Sequence, residues 1–296
     1  MKTTSWVIGG MLVAGLAASP AVGQNDPHAG HAMEKPAAAA AAPRNEALPP
    51  DADQAKGTLA KSPRHGEWVD VRLEGGGKLL TWVVFPEKKE KAGVVLVIHE
   101  IFGLTDWVRG VADQLAKEGF LAVAPDLLSG MGPNGGGTEA LGDEVTKTIR
   151  NLTPEMVAAR LNAVREYALK LPAASGKVGT VGFCWGGTSS FAYAVSQPKL
   201  NAAVVYYGTS PDDPAAYTKI SAPVLGLYGG DDARVDATIP AAEAAMKKLE
   251  KRYTPMIFDG AGHGFLRQQT GRDGANMKAS EKAWAATLAF LRENLK

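Results

Sequence analysis

Short unbroken apolar runs alternate with segments of helical spacing through most of this chain, and that alternation leaves few folds open. Val94-Val95-Leu96-Val97-Ile98 and Phe120-Leu121-Ala122-Val123-Ala124 have strand length and are apolar at every position, as strands covered on both faces are. Between them Val108, Val111, Ala112, Leu115 and Ala116 recur with the spacing of one helix face, with Thr105 placed to cap that helix and Gly119 to end it. The result is a β-α-β unit. A second helix is expected from Thr153-Pro154-Glu155, which combines a cap, a first-turn proline and an acid at the positive dipole end, with Val157, Leu161, Val164 and Ala168 inward. Further strands are predicted at 178–183, 202–207, 224–228 and 256–258, and a last helix with Ser280 as its cap and Trp284, Leu288 and Leu291 inward. Runs 68–73 and 79–85, joined across Gly75-Gly76-Gly77, predict a β-hairpin ahead of all these. The fold class is therefore α/β, a mostly parallel sheet with helices on both faces and an N-terminal β-hairpin, without internal repeats.

Ahead of this domain, placed at 64–296, the sequence predicts a leader and a tether. Residues 1–23 have the pattern of a signal peptide: Lys2, an apolar run over 6–18, and Ala21-Val22-Gly23 before a cut at Gln24. That run is shorter than the roughly 20 residues a spanning helix needs. Export to the periplasm or medium is expected, with no stable membrane insertion after cleavage. Residues 24–63, rich in Ala and Pro, are expected to be a disordered linker. His28, His31 and Met33 within it have the order of soft-metal ligands but no preformed cage, so a solvated linker is the preferred reading.

The charge balance excludes broad function classes. Thirty-two basic and 31 acidic side chains give a formal net charge of +1, and loss of Lys2 with the leader would remove it. No global excess would steer nucleic acid to the protein. The expected partner is a small molecule bound at a local site, and the expected state is a monomer.

Chemistry is concentrated in three places. Gly182-Phe183-Cys184-Trp185-Gly186 lies between a β-rich run and a segment, 187–196, that can be helical. This is the nucleophile-elbow pattern with Cys in place of Ser: small flanking residues relieve crowding at a sharp strand-to-helix turn, and the helix N-terminus favours a thiolate. An acid follows a later strand in Gly229-Gly230-Asp231-Asp232, where Asp231 and Asp232 both qualify. A histidine, His263, follows the last strand in Ala261-Gly262-His263-Gly264-Phe265. The order nucleophile, acid, histidine is that of an α/β-hydrolase triad. Cys184 would attack an ester or lactone carbonyl, His263 would take the thiol proton, and an acyl-thiol intermediate would be cleared by water. Cys184 is also the chain's one cysteine. A redox role would require a resolving thiol that the sequence lacks.

These motifs, with His99-Glu100-Ile101-Phe102-Gly103-Leu104 after the first core strand and Phe265-Leu266-Arg267 after the histidine, resemble those of the dienelactone hydrolase (carboxymethylenebutenolidase) family from about Arg64 onward. The resemblance implies Asp232 as the triad acid. It implies that Glu100 contacts the resting thiol and helps deprotonate it when substrate binds. Ile101 and Trp185 would give the two oxyanion-hole N–H groups, and Arg267 and Phe102 would contact substrate, with no cofactor and no metal. Members that hydrolyse dienelactone hold its carboxylate with two arginines and a serine. Here Arg267 matches one arginine, Gly264 stands in the serine's place, and the other arginine has no clear counterpart, the nearest to the glycine-rich stretch 129–137 being Arg150. That stretch is expected to be flexible. The leading reading is a cofactor-free hydrolase; the alternative is a catalytically idle binding protein on the same fold.

Overall fold

The computed structural model describes residues 44–296, so the expected leader, the tether up to residue 43 and the His28, His31, Met33 group lie outside the described residues. Eight strands form one sheet: β1 (Gly66–Arg72), β2 (Lys78–Val84), β3 (Ala92–Ile98), β4 (Leu121–Pro125), β5 (Ala174–Phe183), β6 (Ala202–Tyr206), β7 (Val224–Gly229) and β8 (Tyr253–Phe258). Their spatial order is β1-β2-β4-β3-β5-β6-β7-β8. The hairpin β1-β2 is antiparallel and joins antiparallel to β4; every other pairing is parallel. The sheet of the sequence reading is the sheet observed.

Alternation along the central strands explains why both faces are apolar. Val94, Leu96 and Ile98 of β3 enter one core with the helices α3 (Pro154–Leu169), α4 (Trp185–Ser196) and α5 (Ile239–Lys248). Val95 and Val97 enter the other, with α2 (Asp106–Lys117) and α6 (Ala275–Leu295). Thr153 caps α3 as expected, its hydroxyl accepting from Met156 N–H. Thr105 occupies the cap position of α2 without a side-chain bond.

Two boundaries differ from expectation. α6 starts at Ala275 rather than at Ser280; the Ser280 hydroxyl is buried inside the helix, its one hydrogen shared between the carbonyls of Asn276 (2.7 Å) and Phe265 (3.2 Å). Its work is to tie the helix to the His263 loop, a use that local sequence cannot distinguish from a cap. The domain also begins at Arg44 instead of Arg64. Residues 44–63, expected as linker, include a short helix α1 (Ala55–Leu59) and bury Leu48 and Ala55 against α2. Low local hydrophobicity concealed this, since two apolar side chains suffice when a preformed groove receives them.

Candidate active site

The strand order reverses at β3, whose neighbours are β4 on one side and β5 on the other. A crevice opens at such a reversal, beyond the carboxyl ends of the strands. Ile98 of β3 is in register with Gly182 of β5. Glu100 and Cys184 therefore each lie two residues beyond a paired position, at the carboxyl ends of the two strands.

The elbow is strained and its glycines are obligatory. Cys184 takes φ 55° and ψ −117°, a conformation costly for any residue with a Cβ. A Cβ on Gly182 would stand 1.9 Å from the carbonyl oxygen of Gly186, and one on Gly186 would meet the carbonyls of Ile98 and His99 at 2.4 Å. The turn is held by Cys184 N–H to Tyr206 O (3.0 Å) and Thr188 N–H to Cys184 O (3.1 Å).

Around the thiol the surroundings favour the neutral form at rest. Burial pushes the Cys184 thiol up, and the Glu100 carboxylate pushes it further; the backbone N–H groups of Trp185 and Ile101 and the charge of Arg234 act in the opposite sense. The two amides expected to form an oxyanion hole, those of Trp185 and Ile101, are thus the backbone groups that favour a thiolate at Cys184. The charge of Arg234, exposed two residues after Asp232, reaches the thiol, which the sequence reading did not anticipate; Arg150 lies exposed in a turn after residue 148.

His263 and Asp232 are brought together by the close approach of two loops. A Cβ on Gly229 would lie 2.5 Å from the carbonyl of Ala261, and Asp231 N–H donates to that carbonyl at 3.0 Å. Asp232 Oδ2 lies 2.5 Å from His263 Nδ1, the aspartate side chain 8% exposed and the imidazole 35%. Asp231 instead faces outward and pairs with Arg272 at 2.6 Å, each about half exposed. Of the two aspartates, Asp232, the one the resemblance implied, is the one in contact with the imidazole.

Glu100 is buried, and Arg267 Nε stands 2.9 Å from its Oε2 as an ion pair without hydrogen-bond alignment. The Arg267 guanidinium also lies over the exposed Phe102 ring, 5.0 Å from its centre. Gly264 has φ 75°, so a serine in its place would be strained whatever the space around it. The missing serine follows from the backbone path. Burial, against the pull of Arg267, pushes the Glu100 carboxyl up to about 7. The folded protein therefore binds a proton that the unfolded chain has released, and the stability this gives is present at low pH and lost as pH rises through about 7. Glu100→Gln is expected to remove that loss. The variant should gain up to about 3 kcal/mol over wild type between pH 5 and pH 8 in chemical unfolding, and equal gains at both pH values would refute the assignment.

Two further residues escaped sequence reasoning. His99 is fully buried: its Nε2 accepts Leu127 N–H (3.1 Å), so Nδ1 carries the proton and donates to Glu100 O (2.8 Å), and burial lowers its pKa to keep it neutral. Its ring stacks on Trp185 at 5.6 Å, so one imidazole braces the strand end that carries Glu100 and Ile101 and the residue that follows the nucleophile. Tyr207, at φ 38°, packs its ring 5.1 Å from that of His263, with its hydroxyl buried and unpartnered. His99 opens the motif that follows the first core strand, but nothing in the sequence assigned it a role, and Tyr207 lies in no motif. The glycine-rich stretch is also more fixed than its composition suggests. Thr138 donates from N–H (2.7 Å) and hydroxyl (2.8 Å) to the Asp126 carboxylate, and its Oγ1 accepts Leu104 N–H at 3.0 Å.

The profile of the dienelactone hydrolase family matches residues 79–295. The chain belongs to the dienelactone hydrolase family. It is 30% identical over 250 residues to a candidate carboxymethylenebutenolidase of Saccharolobus solfataricus, covering 73% of this chain and 95% of that protein. A candidate carboxymethylenebutenolidase of Salmonella typhimurium is 30% identical over 211 residues, covering 68% and 77%. The crystal structure of a candidate dienelactone hydrolase from Klebsiella pneumoniae superposes with a TM-score of 0.68 at 25% identity, covering 77% of this chain and 98% of that one. This dienelactone hydrolase family member is thus an ester or lactone hydrolase on the α/β-hydrolase fold. Among the described residues no group of three or more His, Cys, Asp or Glu could hold a metal ion, and no helix is long and apolar enough to cross a membrane.

Proposed function

We propose that the protein hydrolyses a small ester or lactone through an acyl-thiol on Cys184, with His263 as general base and acid and Asp232 orienting the imidazole. The observation that supports this reading is the strained turn at Cys184, φ 55° between glycines with no room for a Cβ, together with the Asp232 carboxylate against Nδ1 of His263. Cys184 Sγ attacks the carbonyl carbon as its proton passes to His263, and the oxygen gains negative charge where the two amides can receive it. Collapse expels the alcohol, which takes the proton from His263. Water then attacks the thioester with His263 again as base, releasing acid and free thiol.

Arg267 suits a substrate carrying its own carboxylate, which it would pair as it now pairs Glu100. Withdrawal of the guanidinium from Glu100 would raise the proton affinity of that carboxyl further. Once protonated, Glu100 no longer opposes a thiolate beside it, so an anionic substrate would switch on its own nucleophile. The test is chemical trapping: p-nitrophenyl acetate mixed with the protein and quenched in acid is expected to leave one acetyl group on the peptide containing Cys184. Turnover of the ester with no acyl group on that peptide, under conditions where release is slowed, would sink the acyl-thiol step.

A further inference from the structure

The segment that carries the proposed carboxylate-binding arginine is held by a part of the chain outside the family match. The backbone N–H of Ala52 donates to the carbonyl of Arg267 itself at 3.0 Å. Gln269, two residues on, is buried, and its Nε2 donates to Pro49 O (2.9 Å) and Leu266 O (3.0 Å), tying both sides of the contact together. The 44–63 strap is in turn fixed to α2. Arg44 donates to Leu48 O and Gln114 Oε1, and Gln114 donates to Glu46 O. Pro50 lies against α2 so closely that a Cβ on Gly110 would stand 2.7 Å from its ring. Just beyond the strap's end, Arg64 joins Ser62 on the carboxylate of Asp113 of α2, a largely buried cluster. Leu48 and Ala55 share a core with Phe265 and Leu266, the residues just before Arg267.

We propose that residues 44–63 are a positioning strap for the active site, setting the backbone from which Arg267 reaches Glu100 and thereby the preference for esters bearing a carboxylate. This rests on the reading of Arg267 given above. A guanidinium at the end of a long side chain is placed no better than its own Cα, and the strap contacts that residue's carbonyl directly. The strap acts through Arg267 and touches no reacting atom. Its loss should therefore reduce the preference for anionic substrates more than it reduces turnover of neutral ones.

The experiment compares kcat/KM for p-nitrophenyl acetate with that for the mono-p-nitrophenyl ester of glutaric acid, in full-length wild type, Ala52→Pro, Gln269→Met and Arg267→Ala. Ala52→Pro deletes the donor N–H, and Gln269→Met keeps side-chain length if the proline variant does not fold. The ratio of anionic to neutral ester is expected to fall about fivefold in each strap variant, and further in Arg267→Ala. Amide hydrogen exchange over residues 264–269 should quicken in the same strap variants. If Arg267→Ala lowers the ratio while both strap variants keep it, the strap proposal is overturned and the Arg267 reading stands. If Arg267→Ala itself keeps the ratio, the carboxylate reading fails, and exchange at 264–269 decides the strap: faster supports it as a clamp on this segment, unchanged overturns it.

Discussion

Cys184→Ala is expected to lower kcat/KM for p-nitrophenyl acetate by about 10⁴-fold or more, with little change in unfolding temperature. The size of the effect follows from the number of steps that need the sulfur: without it there is no covalent intermediate for His263 to assist, and the base has lost the proton it is placed to take. What remains is water attack aided by the Trp185 and Ile101 amides. Stability should be nearly untouched because the thiol is only partly buried and makes no contact that defines the elbow; that turn is set by backbone bonds and by the glycines at 182 and 186. Cys184→Ser should be far weaker than wild type as well. A hydroxyl is harder to ionise than a thiol, and here it would stand in the same buried site beside Glu100. Steady-state kinetics with circular dichroism on the same samples would check this, and a folded alanine variant within tenfold of wild type would require another nucleophile.

The two neighbouring aspartates should part company by a similar margin. Asp232→Asn is expected to cut kcat by about 10³- to 10⁴-fold, because an amide can present N–H to Nδ1 and turn the imidazole to the tautomer that cannot accept the thiol proton. Asp231→Asn should stay within about twofold, since its ion pair with Arg272 is half exposed and such pairs contribute little. Adjacent in sequence and identical in chemistry, the pair differs only in which way each side chain leaves the β7 loop. Comparable losses in both variants, measured as kcat at saturating ester, would mean that the His263–Asp232 contact is not what orients the ring.

That contrast marks the boundary of what a sequence can convey here. Strand and helix identities were legible because the central strands are buried on both faces, which forces unbroken apolar runs that no other element shares. The turn at Cys184 was legible because a sharp strand-to-helix turn admits only glycine at 182 and 186, and the loop position of His263 because it follows the last strand. Those are local constraints, written in local residues. Ser280 misled for the same reason. A hydroxyl near a helix start looks like a cap until the carbonyl of Phe265, fifteen residues away, is seen to accept it.

By itself, then, the sequence determined the α/β sheet and the glycine-flanked turn at Cys184, since each depends on residues adjacent in the chain. Only the tertiary structure placed Asp232, the acid the resemblance implied, against His263, and decided that Arg267 pairs with Glu100, that His99 braces the strand end carrying Glu100 and Ile101, and that residues 44–63 belong to the domain. The physical reason is common to all four. Each depends on the distance between groups far apart in sequence, and that distance is set by strand register, by loops approaching until only glycine fits between them, and by burial in a shared core.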